Sequence, residues 1–120
     1  KTGGSFLINP GQYMIFAALK QPGGASGPTP DYVYGYSTQG IALSNTGEYV
    51  CLSSDTQCVG AGIIAKVTYP KATASKSYQL AAGKLDKASQ DNSANWCLGK
   101  TPYGSLGDNG TPGKANTACP

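Results

Sequence analysis

The stretch that decides the fold class is Gly40–Ser54, which reads GIALSNTGEYVCLSS. Two mainly apolar runs, Gly40–Ser44 and Glu48–Ser54, flank the short segment Asn-Thr-Gly. Asn and Gly tolerate the positive φ angles that tight hairpin turns require. The pattern therefore predicts a β-hairpin with Gly47 at a positive φ, and it indicates an antiparallel β protein.

Short strand patterns separated by Gly and Pro continue on both sides of this hairpin. An apolar run such as Tyr13–Leu19 suits a strand that is buried on both faces. The other candidate strands are Ser5–Ile8, Tyr32–Tyr36, Ile63–Pro70 and Ser77–Ala82. Residues 81–96 favour a loop or a single helical turn, because Asn, Ser and Asp interrupt their helical spacing. Strands at intervals of eight to twelve residues are typical of a β-sandwich or barrel, so the chain is predicted to be all-β.

The composition excludes several classes of function. Charged residues make up 12% of the 120 residues, about half of the usual share for a soluble domain. The nine basic residues are all lysines, scattered along the chain, whereas nucleic-acid binding needs clustered basic residues. The chain has no histidine, so a Ser-His-Asp or Cys-His catalytic arrangement is impossible. We therefore predict a non-enzymatic protein with no cofactor, no nucleic-acid partner and no membrane span.

Four cysteines, Cys51, Cys58, Cys97 and Cys119, provide the strongest local constraint. An even number of cysteines in a small chain of low charge indicates two disulfides and an oxidising, extracellular environment. Three pairings are possible. We favour Cys51–Cys58 and Cys97–Cys119, because each pair flanks one turn-rich segment. A zinc site is the alternative, but the C-x-x-C spacing that is typical of such sites is missing.

The order of these segments resembles the lamin tail domain, a β-sandwich of the immunoglobulin type that occurs in nuclear lamins and in secreted bacterial proteins. The resemblance is carried by the segments 6–18, 40–54, 67–70, 77–80 and 95–116. Members typically carry a hairpin of the form L-x-N-x-G-[DE]-x-V-x-L, and secreted bacterial members tend to end in T-P-G-x-x-N. The resemblance implies one disulfide-stapled, immunoglobulin-like β-sandwich domain over residues 1–120. It also implies that Thr111–Gly113 is a terminal turn capped by Asn116, although Gly-Lys in this segment loosely resembles a phosphate-binding loop.

The family usually begins with strands that carry the motifs I-E-x-x-N and D-L-S-G-W, and these motifs do not precede Phe6 here. The resemblance therefore implies an uncovered sheet edge, which a strand from another chain would complete. The partner would be a second copy of the chain or a separate strand-donating chain. The residues predicted for this assembly site are Phe6, Leu7 and Ile8 in the donor or edge strand, and Tyr13, Ile15 and Phe16 near the acceptor groove.

Three further features suggest ligands. Tyr32, Tyr34 and Tyr36 share one face if their segment is a strand, and they could stack on a glycan or form a half-buried strand face. Residues 91–95 and 107–110 offer oxygen ligands for calcium, although Asn and Asp also occur in turns for backbone reasons. Asn109-Gly110-Thr111 is a glycosylation sequon, but the following Pro112 disfavours its use. We predict no metal site.

The leading hypothesis is an extracellular structural domain that assembles by strand complementation, as the subunit of a filament or surface assembly. The alternative is a glycan- or protein-binding module cleaved from a larger secreted protein. In that case the missing strands lie upstream in the same gene product, and the tyrosine face binds the ligand.

Overall fold

Short strands dominate this computed structural model, which describes residues 7–35, 41–55 and 58–120. The elements in these ranges are β1 (Phe16–Ala17), β2 (Tyr32–Val33), β3 (Glu48–Ser53), β4 (Ile63–Tyr69), β5 (Tyr78–Leu80), α1 (Lys87–Asp91), β6 (Trp96–Leu98), β7 (Pro102–Tyr103) and β8 (Asp108–Asn109). Two 3₁₀ turns, Gly60–Gly62 and Ser93–Asn95, precede β4 and β6. A small, mostly β chain with little helix agrees with the predicted all-β class.

The longest ladder joins β3 to β4 in antiparallel register, from Glu48 opposite Tyr69 to Cys51 opposite Lys66, with a bulge near the end of β3. The prediction that β3 forms a hairpin with the segment before it is wrong, since residues 41–44 form no strand. The backbone carbonyl of Asn45 instead accepts a 2.9 Å hydrogen bond from Ala72 N, on the segment that follows β4. Gly47 has the predicted positive φ, +107°. The turn was therefore identified correctly, but its strand partner was not.

The predicted double-sided burial of Tyr13–Leu19 is also wrong. Only Phe16–Ala17 of this run is strand, and it pairs in parallel with β2. Within the run, Tyr13 and Leu19 are about half exposed, whereas Ala17 is buried. The run pairs with a single strand over only two residues, and this short ladder leaves the large side chains of Tyr13, Phe16 and Leu19 about half exposed.

The C-terminal third forms two small antiparallel ladders, β5 with β6 and β7 with β8. After β8, Lys114 N donates to Thr111 O at 3.1 Å, and Gly113 has a φ of +72°. The Asn116 side-chain amide donates to Leu80 O at 2.8 Å and accepts from the Thr111 hydroxyl at 2.7 Å. The segment is thus a strand followed by a turn, and the Asn116 side chain links Thr111 of this turn to β5. This arrangement gives no phosphate-binding loop.

The helix α1 is the single helical turn that the sequence suggested. The Asp86 carboxylate caps it by accepting from Ser89 N at 2.9 Å and from the Ser89 hydroxyl at 2.6 Å. The Trp96 indole N–H donates to Gln90 O at 2.8 Å, which fastens the helix to the start of β6. A capped turn in this position therefore orients the only tryptophan of the chain.

Two disulfides join Cys51 to Cys58 and Cys97 to Cys119, with Cα–Cα distances of 6.3 and 5.7 Å. This is the pairing that the sequence favoured. The first links β3 to the segment before β4, and the second ties β6 to the C-terminal segment. Each bridge thus closes one turn-rich part of the chain.

The core is small for a chain of this length. Ala17 and Leu80 are the buried hydrophobic residues of the described ranges, each 7% exposed. Sixteen large hydrophobic residues in the same ranges are at least about a third exposed. Because a fully buried aliphatic side chain contributes about 1.5–3 kcal/mol, much of the available apolar stabilisation is not used within the described structure.

Candidate functional site

The main candidate site is an apolar cleft of about 280 Å³ between the β3–β4 ladder and the β5–β6 ladder. Most of its wall is aliphatic or aromatic. The lining residues are Leu43, Val50, Val67, Tyr69, Pro70, Lys71, Ala72, Thr73, Lys76, Tyr78, Trp96 and Leu98. Its volume is at the lower limit of the range typical of small-molecule pockets, about 300–1,000 Å³.

The wall on the β3–β4 side follows from the two-residue period of the ladder. Val50 lies opposite Val67, and Tyr69 is two residues further along the same face. The sequence had placed Val67 and Tyr69 on one face. Val50 is still 42% exposed although it belongs to this wall, so the cleft is open beside β3.

The opposite wall contains a stacked aromatic pair. The rings of Tyr78 and Trp96 have centroids 5.4 Å apart and an interplanar angle of 17°. Tyr78 lies opposite Leu98 in the β5–β6 register, so Trp96 is its diagonal neighbour. A tryptophan beside a cysteine often covers a disulfide as a core residue. The neighbour Cys97 does form a disulfide, but the Trp96 indole also lines the cleft.

The segment between β4 and β5 lines part of the cleft, here called its cationic end. It contributes Lys71 and Lys76, both exposed. The Tyr69 hydroxyl donates to Ser44 O at 3.1 Å, which ties the loop before β3 to the last residue of β4. Among the described residues no carboxylate lines the cleft, whereas two lysines do. The site is therefore an apolar slot with a cationic end.

The outer edge of β3 has no strand partner in the described ranges, where β3 pairs with β4 alone. Its side chains alternate, so that Val50 and Leu52 project on one face, and Leu52 is 60% exposed. An exposed edge of this kind is a template for pairing with a further strand. The cleft and the open edge are adjacent, because Val50 belongs to both.

Among the described residues, those predicted for the assembly site do not line this cleft. Leu7 and Ile8 belong to no strand and are 82% and 53% exposed, while Phe6 lies outside the described residues. The segment predicted as the acceptor groove contacts another part of the chain. Ile15 N donates to the Asp31 carboxylate at 2.7 Å, and Phe16 lies opposite Tyr32 in the parallel ladder. Tyr13 is exposed before that ladder. Ile15 and Phe16 thus contact the segment around β2, and an assembly role for the three residues stays a prediction.

The predicted tyrosine face is only partly described. Tyr32 lies in β2, and its ring meets Phe16 edge-on at 6.0 Å. Tyr34 follows the strand, and its backbone N–H donates to Ala17 O at 2.9 Å. Tyr36 lies outside the described residues. A ligand-stacking role for the three tyrosines stays a prediction.

The two segments considered for calcium use their polar groups locally. Asp91 pairs with Lys87 at 2.8 Å, and the Asn92 side chain accepts from Ala94 N at 3.0 Å. The Asn109 side-chain amide, the atom that a glycan would modify, donates to Ser75 O at 3.2 Å and to Gly107 O at 3.3 Å. Within residues 7–35, 41–55 and 58–120, no three potential metal-ligating side chains cluster together.

Two titrating groups have shifted pKa values, and both shifts have local causes. The hydrogen bonds from Ser89 lower the pKa of Asp86 below its ordinary value. Partial burial, and secondarily the charge of Asp108, raise the pKa of Tyr103. The Asp86 shift is that of a helix cap, and Tyr103 lines a polar recess beside Lys76, outside the cleft. Neither shift marks a proton-transfer site in the cleft.

Comparison with known proteins adds no assignment. None of the family models matches the chain, and neither a curated protein nor a solved structure is significantly similar to it. The fold and site define a small, mostly β chain with two disulfides and an open apolar cleft. The resemblance to lamin tail domains stays a prediction. None of the helices in the described ranges is long and apolar enough to cross a membrane.

Proposed function

We propose that this chain is a non-enzymatic, extracellular structural domain of the immunoglobulin-like sandwich type, which assembles by accepting a β-strand from another chain. The observation that carries the proposal is the apolar cleft beside the edge of β3 that has no strand partner among the described residues. Main-chain hydrogen bonds along that edge would supply affinity, and alternate side chains entering the cleft would set the register. The two disulfides support an oxidising compartment and hold the segments around the cleft before assembly.

The expected free energy of binding requires both side-chain burial in the cleft and main-chain pairing along β3. Two apolar side chains buried in the cleft would contribute about 3–6 kcal/mol. Association costs about 4–15 kcal/mol in lost translational and rotational freedom. Side-chain burial alone therefore gives weak binding, and the ladder along six-residue β3 must contribute as well. The proposal accordingly predicts that blocking either the cleft or the edge prevents assembly.

The test is the native size of the chain, measured by light scattering after size exclusion, with negative-stain imaging of each fraction. Regular polymers are expected if a second copy donates the strand, and a variant without residues 1–8 then stays monomeric. Val50→Glu places a carboxylate in the cleft wall and should abolish assembly. Leu106→Glu is the matched control, because Leu106 is more exposed than Val50 and lies outside the cleft. Assembly that survives Val50→Glu would contradict the proposal.

A binding module is the second candidate, because Tyr69, Tyr78 and Trp96 give the cleft an aromatic wall. Aromatic rings also serve as platforms for glycans and peptides. A stable monomer that takes up no strand peptide, but whose Trp96 fluorescence changes with a glycan or protein ligand, would favour this candidate. A gene product that extends upstream through an I-E-x-x-N motif would also favour it.

A further inference from the structure

Charge at one end of the cleft bears on which strand can occupy it. Lys71 and Lys76 line the cleft on the segment that joins β4 to β5, and no carboxylate lines it. Among the described residues, neither lysine has a carboxylate oxygen within 4.0 Å, since the ion pair found there joins Lys87 to Asp91. The cationic end of the cleft therefore carries two lysines that have no ion-pair partner among the described residues.

Two acidic residues are near this end, and neither neutralises it. Glu48 begins β3 opposite Tyr69, but its carboxylate accepts from Ser44 N at 3.2 Å. Asp108 lines the neighbouring polar recess, which Lys71 and Lys76 also border, and it lies outside the cleft. The formal net charge of the whole chain is +3, so long-range electrostatics also favour an acidic partner over a second copy.

We infer that the cleft selects a β-strand from a different polypeptide, with alternating apolar side chains and a carboxylate at the end that lies over Lys71 and Lys76. This inference rests on the proposed strand-accepting function and specifies its partner. The donor segment predicted from the sequence, Phe6–Ile8, contains no acidic residue and follows Lys1. It matches the apolar slot but not the cationic end.

The strength of the expected preference follows from the exposure of both lysines. Exposed ion pairs contribute about 0.2–1 kcal/mol each and weaken as salt increases. Two such pairs give an acidic strand an advantage of about twofold to thirtyfold at low ionic strength. The ion pairs would thus determine which apolar strand binds best, whereas apolar burial and main-chain hydrogen bonds would supply most of the affinity.

The experiment titrates the full chain with two synthetic strands that share an alternating Val-Thr core and differ only in a terminal Glu or Gln. Trp96 reports binding, because it is the single tryptophan and lines the cleft. A third peptide carries residues 1–10 of this chain. The variants are Lys71→Gln with Lys76→Gln, and Lys114→Gln as a matched control, since Lys114 is exposed and lies outside the cleft.

The Glu peptide should bind about twofold to thirtyfold more tightly than the Gln peptide and than the peptide of residues 1–10. This advantage should disappear in the double lysine variant and at high salt, and persist in the Lys114→Gln control. Equal affinities for the three peptides would overturn the acidic-partner inference while leaving the strand-accepting function intact. If no peptide binds and the chain does not assemble, both proposals fail.

Discussion

The rings of Tyr78 and Trp96 stack at a centroid distance of 5.4 Å, across a ladder in which they are diagonal neighbours. This contact joins the two strands that form one wall of the cleft. The indole N–H donates to Gln90 O, so the stacked pair is also tied to α1. One side chain thus links the cleft, the β5–β6 ladder and the short helix.

The first prediction concerns the energy of this stack. Tyr78→Leu and Trp96→Leu, alone and combined, should show a coupling energy of about 0.5–1.5 kcal/mol in denaturant unfolding, the range for aromatic pairs. Tyr78→Leu combined with Phe16→Leu is the control, because Phe16 contacts Tyr32 in a separate ladder. That control pair should be additive within about 0.5 kcal/mol. Equal coupling energies for Tyr78 with Trp96 and for Tyr78 with Phe16 would contradict a stabilising contact between the stacked rings.

The second prediction concerns Asn116, which bridges the C-terminal turn to Leu80 O and the Thr111 hydroxyl. Asn116→Ala leaves the buried Leu80 carbonyl without this donor, so it should lower the free energy of unfolding by about 1–3 kcal/mol. Asn9→Ala removes one exposed side-chain hydrogen bond, to Gln12, and should cost less than about 1 kcal/mol. Urea unfolding of both variants measures the difference. A loss no larger for Asn116→Ala than for Asn9→Ala would show that this bridge contributes little.

The third prediction concerns Ser77, whose buried hydroxyl has no hydrogen-bond partner in the part of the chain that the structure describes. Ser77→Ala removes an unsatisfied polar atom, so the variant should be as stable as the parent chain or up to about 1 kcal/mol more stable. Ser89→Ala makes the same chemical change where the hydroxyl donates to Asp86, and it should destabilise the chain. Thermal unfolding of the two variants gives the comparison. Marked destabilisation by Ser77→Ala would reveal a partner for this hydroxyl.

The fourth prediction concerns pH. The pKa of Asp86 is lowered below its ordinary value of 3.8, chiefly by hydrogen bonds from Ser89. The unfolded state therefore binds this proton first as pH falls, so the contribution of the cap is complete above about pH 4 and is lost below the folded-state pKa. Asp86→Asn keeps an N-cap side chain that does not titrate. Unfolding measured from about pH 6 down to about pH 2 should show a smaller acid-induced loss in Asp86→Asn than in the parent chain.

The fifth prediction ranks the disulfides. Loop-closure entropy gives about 2.5 kcal/mol for Cys51–Cys58 and about 3.4 kcal/mol for Cys97–Cys119, because their sequence separations are 7 and 22 residues. Replacing the second pair with alanine should therefore destabilise the chain by about 1 kcal/mol more than replacing the first. Guanidinium unfolding of the two paired variants tests the ranking. The reverse order would mean that local packing around Cys51 outweighs loop length.

Local chemistry allowed several features to be predicted from the sequence. Pro10 and Gly11, residue types that favour turns, form one in which Gln12 N donates to Asn9 O at 3.0 Å and Gly11 has a φ of +81°. The positive φ of Gly47, the helical turn at α1 and the disulfide pairing follow from the same kind of short-range rule. Each depends on residues close in sequence, whose backbone preferences or loop lengths limit the possible structures.

Strand pairing could not be predicted in this way. The apolar pattern of Glu48–Ser53 specifies a strand and its two faces, but it does not choose between the segment before it and β4 as partner. The Asn45–Ala72 hydrogen bond and the matching length of β4 decide that choice. The same limitation applies to Ile15 and Ala17, whose backbone carbonyls accept hydrogen bonds from residues 31–34, a pairing that the sequence pattern did not specify.

By itself, then, the sequence determined the β class, the turns, the disulfide pairing and the absence of histidine chemistry. These properties depend on composition and on short-range conformational preference. Only the tertiary structure decided which faces meet, because Val67, Trp96 and Lys71 are separated along the chain and converge through ladder register and loop geometry. The open cleft exists only because these segments come together, since each of them supplies only part of its wall.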